Sequence, residues 1–308
     1  MNQQKFRLVT RSDMDGLVCA VLLKELYLVD EILFVHPKDM QDGKVAIGPN
    51  DITCNLPYVP GCHLAFDHHL SEMYRVDLYK NHIIDPEAPS AARVVYDYYG
   101  GKQRFPTIPD SLMQAVDKAD SAQFTQSEVL DPQGWVLLSF LMDARTGLGR
   151  WRDFRVSNYE LMMKLIDWCR THSDVDEILE LPDVKERVEL YRSHQAPFRE
   201  QLERATTVHK NLVVVDLRDE DPIYCGNRFV IYALHPECNL SMHCMWGRNK
   251  ANTVFAIGKS IINRSSIHNV GQLCLEYGGG GHEAAGTCQV DNDKADTVRK
   301  ELIGHLTA

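Results

Sequence analysis

The pattern of apolar and polar positions changes character along the chain. In the first third, short apolar runs alternate with longer segments whose apolar residues recur at helical spacing. This alternation is typical of βαβ units and predicts a parallel sheet with helices packed on it. Strands are predicted at 6–10, 31–37, 51–57, 62–66 and 82–86, a short edge element at 44–47, and helices at 17–29, 89–99 and 109–122.

A helical region and then a second set of strands follow. Residues 132–204 have an amphipathic helical pattern, and the remainder returns to short apolar runs. These runs predict strands at 211–216, 229–234, 240–246, 253–258 and 289–290. We therefore predict an α/β protein with two domains. The first, over 1–190, has a parallel sheet and a helical C-terminal part; the second, over 210–308, is a smaller α/β domain.

Composition narrows the choice of partners. The 308 residues are 44% hydrophobic and carry a net charge of −10, so the chain lacks the basic face that a long duplex requires. The nine cysteines form no CxxC pair, the start of the chain has no apolar signal region, and no apolar run is long enough to cross a bilayer. These features predict a cytoplasmic protein without a membrane partner and leave a homodimer open.

Acidic residues and histidines follow two predicted strands and end one predicted helix. They are Asp13, Asp15, Asp67, His68, His69 and Asp120. Because the carboxyl ends of parallel strands meet at one edge of a sheet, we expect these side chains to lie close together, with Asp13 and Asp15 on one side of an extended segment. Carboxylates combined with imidazole suit manganese, magnesium or iron. Two alternatives stay open: Ser12 and Asp13 cap the helix, or the Asp-His-His triplet is an ordinary polar cluster.

A glycine-rich segment predicts an anion site in the second domain. Four glycines, 278–281, precede His282 at what the sequence predicts as the entry from a loop into a helix. Backbone amides there can approach phosphate closely, and a helix N-terminus favours negative charge. The candidate phosphate contacts are Arg264, Ser265, Gly279, Gly280, Gly281 and His282.

Two further groups of residues have less specific patterns. The basic loop 145–152 is open to three interpretations: a substrate contact, a dimer contact or a structural turn. His235, Cys238, His243 and Cys244 suggest zinc, but their spacing fits no structural zinc pattern, and buried core cysteines are favoured.

Together these motifs resemble the DHH phosphoesterase superfamily with a C-terminal DHHA1 domain. The resemblance rests on 13–16 (DMDG), 67–69 (DHH), 120–124 (DSAQF) and 278–286, and it extends over nearly the whole chain. It implies an active site in the cleft between two α/β domains and manganese-dependent hydrolysis of phosphoester or phosphoanhydride bonds. It also implies the residue roles: metal ligands Asp13, Asp15, His68 and Asp120; His69 near the scissile phosphate; and substrate contacts Arg264 and 279–282. Asp67 is a further catalytic candidate, and Ser265 a further substrate contact.

Three positions depart from the family's pattern. Val9 and Arg11 stand where members have a ligand histidine, and Asn55 stands where many have a bridging aspartate. Asn55 is a weaker ligand, and Arg11 cannot ligate a cation. The expected number of ions is therefore one or two, with Asn55 as a candidate ligand and Arg11 as a candidate contact of the substrate phosphate.

We therefore expect a metal-dependent phosphodiesterase whose substrate is a dinucleotide or a very short RNA. Manganese is the expected ion, with magnesium and iron as alternatives. An exopolyphosphatase is the alternative within the same enzyme class. A degenerate family member that binds a nucleotide and regulates a partner without turnover is the alternative outside it.

Overall fold

The chain divides into two compact units in the computed structural model, which describes residues 4–77 and 79–308. The first unit contains 1–124 and 132–189, and the second contains 125–131 and 190–308. Segment 125–131 lies within the predicted first domain, 1–190, but groups with the second unit. A mixed α/β architecture with a parallel sheet and a second sheet confirms the predicted fold class.

The described residues form eleven strands and thirteen α-helices. The strands are β1 (Phe6–Thr10), β2 (Val29–Phe34), β3 (Asp51–Cys54), β4 (Leu64–Asp67), β5 (His82–Ile84), β6 (Thr206–His209), β7 (Leu212–Asp216), β8 (Leu240–Trp246), β9 (Thr253–Lys259), β10 (Gly280–His282) and β11 (Ala285–Val290). The helices are α1 (Met14–Glu25), α2 (Pro37–Gln41), α3 (Leu70–Arg75), α4 (Ala91–Tyr98), α5 (Asp110–Asp120), α6 (Gln126–Leu130), α7 (Gly134–Met142), α8 (Asn158–Thr171), α9 (Val175–Leu179), α10 (Pro182–Ala205), α11 (Val230–Leu234), α12 (Val270–Glu276) and α13 (Ala295–Leu306).

The first unit is built on a five-stranded parallel sheet in the order β2-β1-β3-β4-β5. The order reverses at β1, between β2 and β3, and open α/β sheets bind ligands at such a switch point, beyond the carboxyl ends of the strands. Helix α1 lies against this sheet and is buried all round, with residues 17–23 fully inaccessible. The sheet edge beyond β1, β3 and β4 is therefore the place where the sequence motifs of the first unit meet.

The turn from β1 into α1 explains the DMDG motif. Asp13 has extended backbone angles and is the N-cap of α1, because its side chain accepts a hydrogen bond from the Gly16 amide. A Cβ at Gly16 would lie 2.0 Å from the Arg11 carbonyl oxygen, so only glycine fits there. The prediction that Asp13 and Asp15 share one side of an extended segment is wrong, since Asp15 lies in the first helical turn.

The second unit contains a six-stranded sheet in the order β10-β11-β9-β8-β7-β6. Only the β7–β8 pair is parallel; the other neighbours are antiparallel. One core cluster joins the inner face of this sheet to α12 and α13.

Within the described residues, no helix of either unit combines the length and hydropathy that a membrane crossing requires.

Three predicted elements differ in the structure. Segment 44–47 is a loop rather than an edge strand. Segment 229–234, predicted as a strand, contains helix α11, because an apolar run of this length fits either structure and the Asn227 side chain accepts from the Phe229 amide at its start. The glycine segment is not a helix entry: β10 pairs with β11 in an antiparallel hairpin.

Candidate metal centre

Three side chains of the first unit converge on one point. Single ligand atoms of Asp15, His68 and Asp120 all lie within 4.8 Å of one another, and among the described residues this is the group that fits a metal ion. Asp15 comes from the first turn of α1, His68 follows β4, and Asp120 ends α5. The sequence therefore identified three residues that the fold brings together from distant positions in the chain.

His68 is held in the tautomer that a metal ligand needs. Its Nδ1 lies 3.1 Å from the Ala88 carbonyl oxygen, which can only accept, so Nδ1 carries the proton. Its Nε2 lies 2.8 Å from Oδ2 of Asp120. Burial disfavours the imidazolium, but the hydrogen bond to Asp120 and its charge raise the pKa of His68 to about 9. A proton or a cation is therefore required between Nε2 and this carboxylate.

Asp15 is oriented by the N-terminus of α4. Its two carboxylate oxygens accept hydrogen bonds from the Ala91 amide at 3.0 Å and the Ala92 amide at 2.7 Å, while Ser90 caps the same helix. Burial, with the negative charges of Asp120 and Asp13, raises the pKa of Asp15 well above its ordinary value. The fixed carboxylate retains further lone pairs for a ligand.

Asp13 lies at the edge of this cluster and is bound on both oxygens. Oδ1 accepts from the Gly16 amide at 3.0 Å and lies 3.4 Å from the Asn55 amide nitrogen. Oδ2 lies 3.1 Å from Nε of Arg11. Burial raises the pKa of Asp13, and the charge of Arg11 opposes this shift. The structure thus brings Arg11, Asp13 and Asn55 together, but as partners of one another.

The residue set fits a divalent cation by its charge and by its donor atoms. Carboxylate oxygens and one imidazole nitrogen are the ligands of manganese and magnesium sites. Three partly or fully buried carboxylates, Asp13, Asp15 and Asp120, repel one another at this sheet edge. Two buried acceptors at the ends of β3 and β4, Oδ1 of Asn55 and Oδ2 of Asp67, have no hydrogen-bond partner in the described structure. A cation relieves this excess of negative charge.

Asp67 and His69 form a second pair beside the cluster. Asp67 is buried, and its Oδ1 accepts from the amides of His68 and His69 at 2.9 and 3.3 Å. The same oxygen lies 2.7 Å from Nδ1 of His69. This contact assigns the proton to Nδ1 and leaves Nε2 as the atom that exchanges a proton with a reacting group. The arrangement suits general acid–base chemistry at a phosphate.

The candidate residues of the second unit lie on its loop 260–269 and on the β10–β11 hairpin. Arg264 is exposed, with Nε donating to the Ile261 carbonyl at 3.1 Å. Ser265 is tied into the loop, since its hydroxyl donates to Asn263 and accepts from Asn239. His282 is exposed at the end of β10. Residues 280–282 thus lie on a paired strand instead of at a helix N-terminus.

The other groups named from sequence have ordinary surroundings. His243 and Cys244 are adjacent on β8, and Cys238 and Cys244 are buried. In the loop 145–152, a 3₁₀ turn (Ala144–Thr146) begins at Asp143, whose side chain binds Arg145. Sequence reasoning missed the support of the centre by Ala88 and by the start of α4. Ser90, at the start of this helix, is the sequence signal that could have indicated this support.

The fold and the centre together define a phosphoesterase of the DHH type, and comparison with known proteins agrees. Neither the protein-family models nor the curated proteins contain a match. Among solved structures, the chain is 62% identical to the pGpG-specific phosphodiesterase PggH from Vibrio cholerae, covering 98% of this chain and 99% of that one with a TM-score of 0.84. The chain belongs to the DHH/DHHA1 phosphoesterase superfamily and to the family of that enzyme.

A more distant likeness concerns the fold alone. CDC45 from Entamoeba histolytica is 8% identical, with a TM-score of 0.56, and the alignment covers 99% of this chain and 96% of that one.

Proposed function

We propose that this protein is a metal-dependent phosphodiesterase that hydrolyses short nucleic-acid substrates such as dinucleotides, with pGpG as its first candidate substrate. The observation that carries the proposal is the 62% identity over 98% of the chain to a pGpG-specific phosphodiesterase. The converging Asp15, His68 and Asp120 supply the metal ligands that such a reaction needs. We propose manganese as the ion, with magnesium and iron as alternatives.

In this proposal, the chemistry of a bound divalent ion would be to activate a water and to neutralise charge on the phosphoryl group. Asp15, His68 and Asp120 would hold this ion, with Asp13 and Asn55 as the further predicted ligands. Asp67 accepts from Nδ1–H of His69, and in its doubly protonated form His69 would donate the Nε2 proton to the leaving oxygen, which leaves the neutral ring with its proton on Nδ1. Arg11 binds a non-bridging oxygen of the scissile phosphate.

The second unit is proposed to recognise the rest of the substrate. Arg264 and Ser265 lie on one exposed loop, and residues 279–282 lie on the β10–β11 hairpin. A guanidinium and closely accessible backbone amides suit the terminal phosphate of a 5′-phosphorylated dinucleotide. A cytoplasmic location and a homodimer remain predictions.

Hydrolysis by metal-stripped protein tests the proposal directly. Mn²⁺, Mg²⁺ or Fe²⁺ would be added back to assays with pGpG, other dinucleotides, a longer RNA, pAp, cyclic dinucleotides and polyphosphate. We expect metal-dependent turnover of pGpG and little or none of the longer RNA. Phosphate release from polyphosphate alone would indicate the exopolyphosphatase. Thermal stabilisation by nucleotides without turnover in any metal would indicate a binding protein.

A further inference from the structure

We propose that Arg145 pairs with Arg11 to bind the scissile phosphate, and that this arginine pair stands beside a single metal ion held by Asp15, His68 and Asp120. This inference rests on the proposed function and deepens it. It assigns a role to the basic loop, which the sequence left open, and it fixes the number of ions at one.

The two arginines are presented in the same way. Nε of Arg11 lies 3.1 Å from Asp13, two residues later, and Nε of Arg145 lies 2.7 Å from Asp143, two residues earlier. Among the described residues, no contact involves the Nη atoms of either arginine. A guanidinium fixed through Nε and open at its Nη edge is arranged for two parallel hydrogen bonds to phosphate oxygens.

The loops that carry these arginines lie side by side. Ser12, which follows Arg11, and Asp143 and Ala144, which precede Arg145, line one cavity of about 180 Å³ within the first unit. The side chains of Arg11 and Arg145 are 32% and 55% exposed, so a ligand can reach both. The positive charges of both arginines act on the Asp13 carboxylate. Both arginines therefore border the carboxylate cluster from adjacent loops.

The occupancy of Asp13 limits the centre to one ion. Its Oδ1 accepts from the Gly16 amide, with Asn55 Nδ2 3.4 Å away, and its Oδ2 faces Arg11. A second divalent ion at Asp13 would have to displace the Arg11 guanidinium or lie against its charge. In a two-ion site, the second ion neutralises the negative charge that develops on the phosphoryl group. Here two guanidinium groups can supply the neutralising positive charge instead.

Counting bound metal tests the single-ion part without any assay of activity. Wild-type protein equilibrated with Mn²⁺ is analysed for manganese per chain and by electron paramagnetic resonance. We expect one Mn²⁺ per chain with the spectrum of an isolated ion, and its loss in Asp120→Asn. Two ions per chain, or a spectrum of exchange-coupled manganese, would overturn the inference. The Arg11→His, Asn55→Asp double variant is expected to acquire a second ion.

Kinetics and phosphate binding test the arginine pair. Arg145→Ala and Arg11→Ala should each lower kcat/KM for pGpG roughly 10²-fold, as the loss of one preorganised donor does, while manganese per chain stays unchanged. Arg145→Lys should recover part of this loss, because it restores charge without the bidentate fork. The matched control is Arg104→Ala, which removes an exposed arginine of the same unit and should leave kcat/KM unchanged.

The outcomes separate this inference from the proposed function. Full kcat/KM in Arg145→Ala, with active wild-type enzyme, would refute the arginine pair and leave the function standing. An inactive wild-type enzyme would refute the function. In that case, the binding of inorganic phosphate to the Mn²⁺-loaded protein, measured by calorimetry, would test the arginine pair. Weaker phosphate binding by both Arg11→Ala and Arg145→Ala than by the wild type would support the pair, and unchanged binding would refute it.

Discussion

Two histidines, one in each unit, show how differently the two sheets treat the same side chain. His68 lies beyond a parallel strand among carboxylates, and the hydrogen bond to Asp120 outweighs burial and raises its pKa to about 9. His243 lies within β8, where burial, together with the charge of Arg228, lowers its pKa to about 4. The first site is prepared for positive charge and the second excludes it. The environment, rather than the residue type, separates the candidate metal ligand from the structural histidine.

Replacing the Asp120 carboxylate beside His68 should have the largest effect of the substitutions considered, and this effect is on turnover. We predict that Asp120→Asn lowers metal-dependent turnover of pGpG about 10³-fold, because the centre loses a charged ligand and several kcal/mol of charge stabilisation. Turnover is measured together with Mn²⁺ affinity, which should fall as well. The control is Asp110→Asn on the same helix, since Asp110 is exposed and pairs with Lys102. Equal turnover in both variants would remove Asp120 from the centre.

The centre was predictable to the extent that its residues follow regular elements. An apolar run ending in Asp67-His68-His69 indicates a buried strand, and the rule for parallel sheets then places these residues beside those that follow β1. Asp120 was included because it lies in the last turns of a predicted helix and because 120–124 resembles a motif of the family. The N-cap role of Asp13 was one of the alternatives that the sequence left open, and the structure selects it, since the Asp13 side chain accepts from the Gly16 amide.

The glycine segment was less predictable because glycine carries no periodic pattern. Four glycines fit a loop before a helix as well as a hairpin, and strand pairing across 280–287 decides for the hairpin. The same ambiguity affected 229–234, where five apolar residues form α11 instead of a strand. Local sequence signals leave such segments undetermined, and tertiary contacts select one structure.

Neighbouring glycines in this hairpin should differ sharply. A Cβ at Gly279 would lie 2.1 Å from the Thr287 carbonyl oxygen and 2.6 Å from Cys288 Cα, whereas a Cβ at Gly280 would meet nothing within 4 Å. We predict that Gly279→Ala lowers the free energy of unfolding by roughly 3 kcal/mol, because backbone atoms must move. Gly280→Ala is the control and should change it by about 0.5 kcal/mol or less. Denaturant unfolding of both variants measures the difference.

The depressed pKa of His243 predicts a loss of stability in acid. The ordinary pKa of 6.5 applies to the unfolded chain, and the folded value is about 4. Between these values the unfolded chain binds more protons, so the free energy of unfolding falls as the pH falls from 6.5 toward 4. The contribution of His243 is about 2 kcal/mol between about pH 7 and pH 5.

The variant His243→Gln isolates this contribution. Its free energy of unfolding should fall less than that of the wild type over the same pH interval, whatever the substitution costs at neutral pH. Denaturant unfolding at both pH values gives the two differences. Parallel pH profiles for variant and wild type would mean that His243 is protonated in the folded protein as readily as in the unfolded chain.

The smallest effect concerns the helix that orients Asp15. Ser90 caps α4 by accepting from the Arg93 amide, and the next two amides of that helix, Ala91 and Ala92, bind Asp15. We predict that Ser90→Ala lowers the free energy of unfolding by about 1 kcal/mol, the usual value of an N-cap. It should also weaken Mn²⁺ binding a few-fold, because the first turn of α4 loosens under the carboxylate.

Ser157→Ala provides the matched control for this cap. Ser157 caps α8 by accepting from the Glu160 amide, and α8 contributes no ligand to the centre. Both variants should lose similar stability in denaturant unfolding, but only Ser90→Ala should bind Mn²⁺ less tightly in equilibrium dialysis. Equal Mn²⁺ affinity in the two variants would mean that Asp15 holds its orientation without α4. The support of the metal ligand would then lie within α1 itself.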